Sequence, residues 1–136
     1  MTEHAQILER DSFNGARATL IQWTEAVATG RVENVLALYA SDAILVPTLA
    51  NEIIVTQDGR RHYFEFFLSD GGPTCTIDRE ELRADYKNGT VAIGGIYTFN
   101  FRRPAGEESV PARFLFNFEE LDARWLITGH HSSRCV

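Results

Sequence analysis

Apolar positions along this chain recur at two different periods, and the period changes near residue 71. From Ser12 the spacing is helical. Phe13, Ala16, Leu20, Trp23 and Val27 recur at three- and four-residue steps, so they share one face of a helix that Gly30 ends. Val32, Val35, Leu36 and Tyr39 form the apolar side of a second, shorter helix over 32–39, closed by Ser41 and Asp42. Ala43 to Val46 reads as a short strand that Pro47 terminates. Leu49 to Val55 fits either a loop or a short strand. Asp58 to Leu68, with Tyr63, Phe64, Phe66 and Phe67, predicts a third helix that Asp58 can cap. Residues 1–11 read as a lead-in or as the start of the first helix.

Beyond Gly71-Gly72-Pro73 the pattern alternates. Cys75 to Tyr86 is a long strand whose Glu80-Glu81-Leu82-Arg83 segment is poor strand material and a place for a bulge. Lys87-Asn88-Gly89 contains Asn-Gly, the strongest short hairpin signal. Thr90 to Arg102 is the next strand, with Ile93, Gly95, Tyr97 and Phe99 on one face, and 103–109 the next turn. Ala112 to Phe118 then puts Ala112, Phe114, Phe116 and Phe118 on one face and Arg113, Leu115 and Asn117 on the other. After a turn over 119–123, Arg124 to His131 puts Trp125, Ile127, Gly129 and His131 on one face. Three helices, a short strand and four antiparallel strands imply one α+β domain over 1–136, with the helices on one face of a curled sheet.

Both faces of the 112–118 strand are largely apolar, so something is expected to cover each. Arg113 and His131 interrupt those faces. If the register lets them share one, they form a polar spot inside an apolar cup. The three phenylalanines opposite Arg113 would then lie in water on a monomer, which predicts a homodimer packed through the sheet.

Composition narrows the partners. The net charge is −6 over 136 residues, which argues against nucleic acid or an anionic membrane as a partner, since each needs a clustered basic face. Lys87 is the single lysine against twelve arginines; arginine suits planar recognition of carboxylate or phosphate, and genome composition produces the same bias. Cys75 and Cys135 form no metal-binding spacing and are expected as free thiols, a disulfide being the alternative. No apolar run reaches the ~20 residues of a membrane span, and the charged start of the chain lacks the apolar core of a signal peptide. A cytoplasmic location is expected, with no cofactor and no metal. His130 and His131 are adjacent strand residues that point to opposite faces, so they do not chelate one ion from a regular strand.

Several local patterns carry a family likeness: Val35-Leu36-Ala37-Leu38-Tyr39-Ala40-Ser41-Asp42-Ala43 followed by Pro47-Thr48, then Ala112-Arg113-Phe114, then Trp125-Leu126-Ile127 with His130-His131-Ser132-Ser133. From Phe13 to Ser133 the chain resembles the nuclear transport factor 2-like superfamily, the cone-shaped, cystatin-like roll of ketosteroid isomerase and SnoaL-like cyclases. More narrowly it is similar to the association (hub) domain of calcium/calmodulin-dependent protein kinase II and its free-standing bacterial relatives. The resemblance implies oligomers and a pocket inside each cone. It places Arg113 on a pocket arginine, Tyr97 where animal hub domains have another, and His131 near the end of the pocket wall. A further hub arginine falls near Ser132, so that charge is missing. No Gly-rich loop, HRD or DFG motif is present, and nothing reads as a basic amphipathic calmodulin target.

The expected cup holds Arg113, Tyr97 and His131, walled by Trp23, Tyr39, Tyr63, Phe64, Phe67, Leu115 and Trp125. One cation, one phenol and one imidazole in apolar surroundings favour a small carboxylate with a hydrophobic body. Each residue also has a plainer role: Arg113 in a buried ion pair, His131 as a hydrogen-bonded wall residue, Tyr97 and the third helix as core, Arg60-Arg61-His62 as a solvated helix start. The leading function is a homo-oligomeric, small-ligand-binding module. The alternative is a small isomerase, dehydratase or cyclase in the same pocket, using His131 as base with Arg113 and Tyr97 as partners. Its carboxylate candidates, Asp42, Asp85 and Glu52, do not sit on inward faces.

Overall fold

Thr2 opens the first helix of a computed structural model that describes residues 2–136. Its Oγ1 accepts the Ala5 N–H at 3.1 Å, and helix α1 (Glu3–Thr29) runs to Gly30. Residues 3–11 are therefore its first turns. Gly30 closes it with φ 71°, a left-handed conformation natural to glycine. Helix α2 (Val32–Leu36) is shorter than the apolar spacing predicts, because strand β1 (Tyr39–Val46) takes over Tyr39. Helix α3 (Gln57–Phe67) is capped by Thr56, whose Oγ1 accepts the Gly59 N–H at 3.0 Å; Asp58 lies inside its first turn instead.

Four long strands follow: β2 (Thr74–Asp85), β3 (Thr90–Arg103), β4 (Gly106–Leu121) and β5 (Arg124–Arg134). The sheet order is β1-β5-β4-β3-β2. The last four are antiparallel neighbours, while β1 joins the edge parallel to β5. This is the α+β roll that the sequence implies. The loop after β1 touches the sheet through one bridge, with Leu45 and Ile54 exchanging backbone hydrogen bonds at 2.9 Å.

Two bulges shape the sheet. One falls between Ile77 and Arg79, just ahead of the expected Glu80 segment. A Cβ on Gly95, opposite it, would come within 1.8 Å of the Arg79 carbonyl oxygen, so only glycine fits. The other bulge decides the site. Phe118 pairs with Ile127 but Asn117 pairs with Gly129, which leaves Thr128 as the extra residue. Side chains alternate by twos, so one inserted residue reverses every later inward and outward position. Ile127 points inward, and so do His130 and Ser132, while His131 is exposed.

The core lies between the helices and the inner face of the sheet. Trp23 of α1 packs edge-on against Phe116 with ring centroids 5.4 Å apart and stacks on Tyr97 at 5.8 Å. Phe114, Phe116 and Phe118 are therefore inside the cone, not at an interface, and Arg113 and Leu115 occupy the outer face. Burying three phenylalanines gains roughly 1.5–3 kcal/mol each, far more than the Arg113, Leu115, Asn117 face offers, so the helices cover the phenylalanine side.

Arg60 also departs from expectation. It is 1% exposed, and its guanidinium donates to the carbonyl oxygens of Ala43 (2.8 Å), Ser41 (2.8 Å) and Ala40 (3.1 Å). Those carbonyls lie where the β1–β5 ladder slips between Tyr39 and Ile44. Buried carbonyls without ladder partners need another donor, and Arg60 supplies it from α3.

Candidate functional site

The helices and the inner sheet face enclose a cavity of about 80 Å³. That is several times the ~10–15 Å³ a single water needs. Its wall is aromatic: Trp23 from α1, Tyr63, Phe64 and Phe67 from α3, Tyr97 and Phe99 from β3. The α3 aromatics reach it because positions 63, 64 and 67 share one helix face; Phe66, off that face, is exposed.

The floor is polar and fully connected. Trp23 Nε1–H donates to Tyr39 Oη at 3.0 Å. Tyr39 Oη lies 2.8 Å from His130 Nδ1, and His130 Nε2 lies 3.2 Å from Tyr97 Oη. Tyr97 Oη donates to Ser132 Oγ at 2.7 Å, and Thr48 Oγ1 is 2.8 Å from the same oxygen. An indole N–H only donates. Tyr39 Oη therefore accepts from Trp23 and passes its own proton to His130 Nδ1. His130 then carries its proton on Nε2 and gives it to Tyr97, which donates to Ser132. The opposite arrangement leaves the Tyr39 proton buried without an acceptor.

Electrostatics match that assignment. Burial, helped by the neighbouring His131 charge, holds the His130 imidazole down at about 3. It is neutral at physiological pH. Burial also drives the Tyr39 and Tyr97 phenols far above the ordinary tyrosine value, and that of Tyr63 up to about 12. The floor is thus a set of neutral donors and acceptors.

Charge appears only at the mouth. Arg103 lies over the Phe101 ring at 4.4 Å and is paired with Asp70 (2.9 Å) and Glu108 (3.1 Å). Arg134, two residues after Ser132 on the same inward-facing row, borders the cavity and has no carboxylate within ion-pair distance among the described residues.

The structure brings together six of the ten residues expected at the cup, Phe64 of the wall among them. Trp23, Tyr63, Phe67 and Tyr97 line it, and Tyr39 sits beneath as a link in the floor. Arg113 and His131 do share a face, as the register condition required, but it is the outer face, where His131 borders a separate shallow groove with Ile44 and Leu115. Leu115 leaves the wall with them. Trp125 packs on α1 away from the cavity; a Cβ on Gly15 would touch its ring at 2.3 Å. The residues that replace Arg113 and His131 are His130, Ser132, Thr48 and Arg134. One signal could have found them: Gly129 inside an otherwise regular strand is a bulge marker.

A model of the SnoaL-like domain family matches residues 16–136. The chain belongs to this family. It sits in the nuclear transport factor 2-like superfamily, as the sequence likeness implied. The SnoaL-like chain is similar to a Xanthomonas campestris protein provisionally named as a calcium/calmodulin-dependent protein kinase II association domain. They share 36% identity over 88% of this chain and 84% of that one, with a TM-score of 0.81. A Novosphingobium aromaticivorans protein provisionally named as a scytalone dehydratase superposes with a TM-score of 0.84 at 7% identity, over 96% of this chain and 89% of that one. A Nostoc punctiforme protein with a cystatin-like fold gives a TM-score of 0.75 at 15% identity over 89% of each chain. The last two share the fold alone. No protein with a curated description matches the chain.

Proposed function

We propose that this chain is a self-associating, ligand-binding member of the SnoaL-like family, which holds a small molecule with an apolar body and one anionic end. The observation that carries this reading is the cup itself. It is an aromatic cavity with a neutral hydrogen-bonded floor and, at the mouth, Arg134 with no carboxylate within ion-pair distance among the described residues. Aromatic walls favour a flat apolar body. Arg134, at the end of the Ser132 row, favours a carboxylate or similar anion there. The ligand cation assigned from the family likeness to Arg113 thereby moves to Arg134.

Titration with benzoate and its short homologues tests this. In a Trp125→Phe background Trp23 is the sole tryptophan and reports from the cavity wall. Saturable fluorescence change, weakened in Arg134→Gln, is the expected result. A carboxylate panel that leaves Trp23 unmoved would reject the reading.

Self-association is supported by the outer sheet face and by the word "association" in the name of the Xanthomonas campestris relative. On that face Ile44 and Leu115 are 50% and 44% exposed and border a groove of about 520 Å³. Light scattering after size exclusion is the direct measurement, and a monomer at micromolar concentration would end this part of the proposal.

An enzyme of isomerase, dehydratase or cyclase type has one observation in its favour, the unbroken relay from Tyr39 through His130 to Tyr97. Against it, an imidazole held near 3 is a weak base, and no carboxylate lines the floor among the described residues. Turnover that disappears in His130→Gln would reverse this order of preference.

A further inference from the structure

The polar floor has one more proton than it has acceptors. Trp23 can only donate, so the chain Trp23, Tyr39, His130, Tyr97 runs in one direction and ends by donating to Ser132. Ser132 and Thr48 then share a single hydrogen bond of 2.8 Å. Whichever of the two hydroxyls donates in that bond, the other keeps a proton with no protein acceptor among the described residues. Both residues line the cavity, and Ser132 is 8% exposed. With Thr48, itself half-buried, donating to Ser132, the proton left over is that of the buried Ser132. Such a donor calls for an acceptor, because an unmade buried hydrogen bond is expensive.

We infer that the Ser132–Thr48 hydroxyl pair is a specificity element that donates one hydrogen bond to an acceptor oxygen of the ligand, a carbonyl or carboxylate oxygen. The indole of Trp23 sets this polarity from four links away. Ser132 and Arg134 are two residues apart on one strand face, roughly 7 Å along the backbone, so one carboxylate can accept from the hydroxyl and face the guanidinium.

This inference rests on the cup being a ligand site, and the test separates the two claims. The probes are acetophenone, which carries only an acceptor oxygen, and ethylbenzene, which has nearly the same shape and none. Neither is charged, so Arg134 plays no part. Binding is followed by the Trp23 indole N–H resonance, with that of Trp125 as the outside control. The carbonyl stretch of bound, carbon-13-labelled acetophenone is expected below its position in alkane, as for a hydrogen-bonded ketone. The variant Thr48→Val/Ser132→Ala/Tyr97→Phe also removes the phenol whose proton would otherwise emerge in place of Ser132. It should weaken acetophenone roughly two- to tenfold relative to ethylbenzene.

A bound carbonyl at its alkane frequency overturns the inference and leaves the cup as a binding site. So does a triple variant in which both the affinity ratio and the carbonyl frequency are unchanged, because the one donor it newly frees, the His130 Nε2–H, is a different group at a different place and would shift the stretch. If neither probe moves the Trp23 resonance, the ligand-binding function falls and takes this inference with it. Should the triple variant not fold, the carbonyl frequency in the unaltered protein still decides.

Discussion

His130 lies flat on Phe116. The ring centroids are 3.9 Å apart and the planes 15° from parallel, and the two residues face each other directly across β4 and β5. Trp23 meets the same imidazole edge-on at 5.3 Å. Its two nitrogens are already engaged by tyrosine hydroxyls. Nothing in this shell offers a negative charge to a protonated ring, and the ring is buried, so the folded protein resists protonation at His130.

That resistance predicts acid sensitivity with a definite sign. The unfolded chain takes up the His130 proton near 6.5, the folded chain only near 3. Between those values the unfolded state binds more protons, so stability falls as the pH drops. The slope approaches about 1.4 kcal/mol per pH unit. The interval from pH 6.5 to 5 isolates the effect, because the depressed carboxylates of Glu33 and Asp85 titrate lower still. Urea unfolding should show a loss of about 1.5 kcal/mol across it, and His130→Gln should flatten the dependence. Equal slopes for the two proteins would contradict the neutral, buried histidine.

Removing single hydroxyls from the floor should rank by what is left unpaired. Tyr39→Phe strands both the Trp23 N–H and His130 Nδ1, at about 1–3 kcal/mol each. Tyr97→Phe strands only the His130 Nε2–H, since Ser132 and Thr48 keep one another. Chemical denaturation should therefore find Tyr39→Phe the more damaging by about 1 kcal/mol or more. The reverse order would mean that the chain does not run in the direction assigned.

Arg60 is a structural clamp, so its loss should be felt as stability. Arg60→Met leaves three β1 carbonyls without donors and should cost at least about 3 kcal/mol. Arg60→Lys should recover only part, because an ammonium is a single point where the guanidinium is a fork. Full recovery by lysine would show that charge, not geometry, matters there.

Most of the architecture was legible because periodicity reports which side chains share a face. The helical stripe of Phe13 to Val27, the aromatic helix and the Asn-Gly hairpin all appear where the pattern puts them. Periodicity does not say which face is inside, and it counts wrongly through an inserted residue. Thr128 is that residue. It turned His131 outward and His130 inward, and with them Ser132 and Arg134. Arg113 lies outside for the other reason: likeness to a pocket arginine puts its face inward, while the phenylalanines opposite carry the larger drive to be covered. Arg60 was unreadable because its partners are backbone carbonyls exposed by a slip in the β1–β5 ladder, which no side-chain pattern announces.

The same inversion of faces makes one pair of neighbours decisive. Phe116 and Leu115 are adjacent on β4, one fully buried against Trp23 and His130, the other exposed beside the outer groove. Phe116→Glu forces a charge into the core and removes a large apolar side chain, so the chain should fail to fold, by loss of cooperative unfolding and of tertiary circular dichroism. Leu115→Glu should keep stability within about 0.5 kcal/mol if the protein is compared as a monomer. If copies meet through the outer face, this variant places like charges against one another across the contact, and the mass by light scattering should fall to that of one chain. An assembly that survives Leu115→Glu and Ile44→Glu together would remove the outer sheet face as its interface, because few apolar contacts would remain there to hold two copies together.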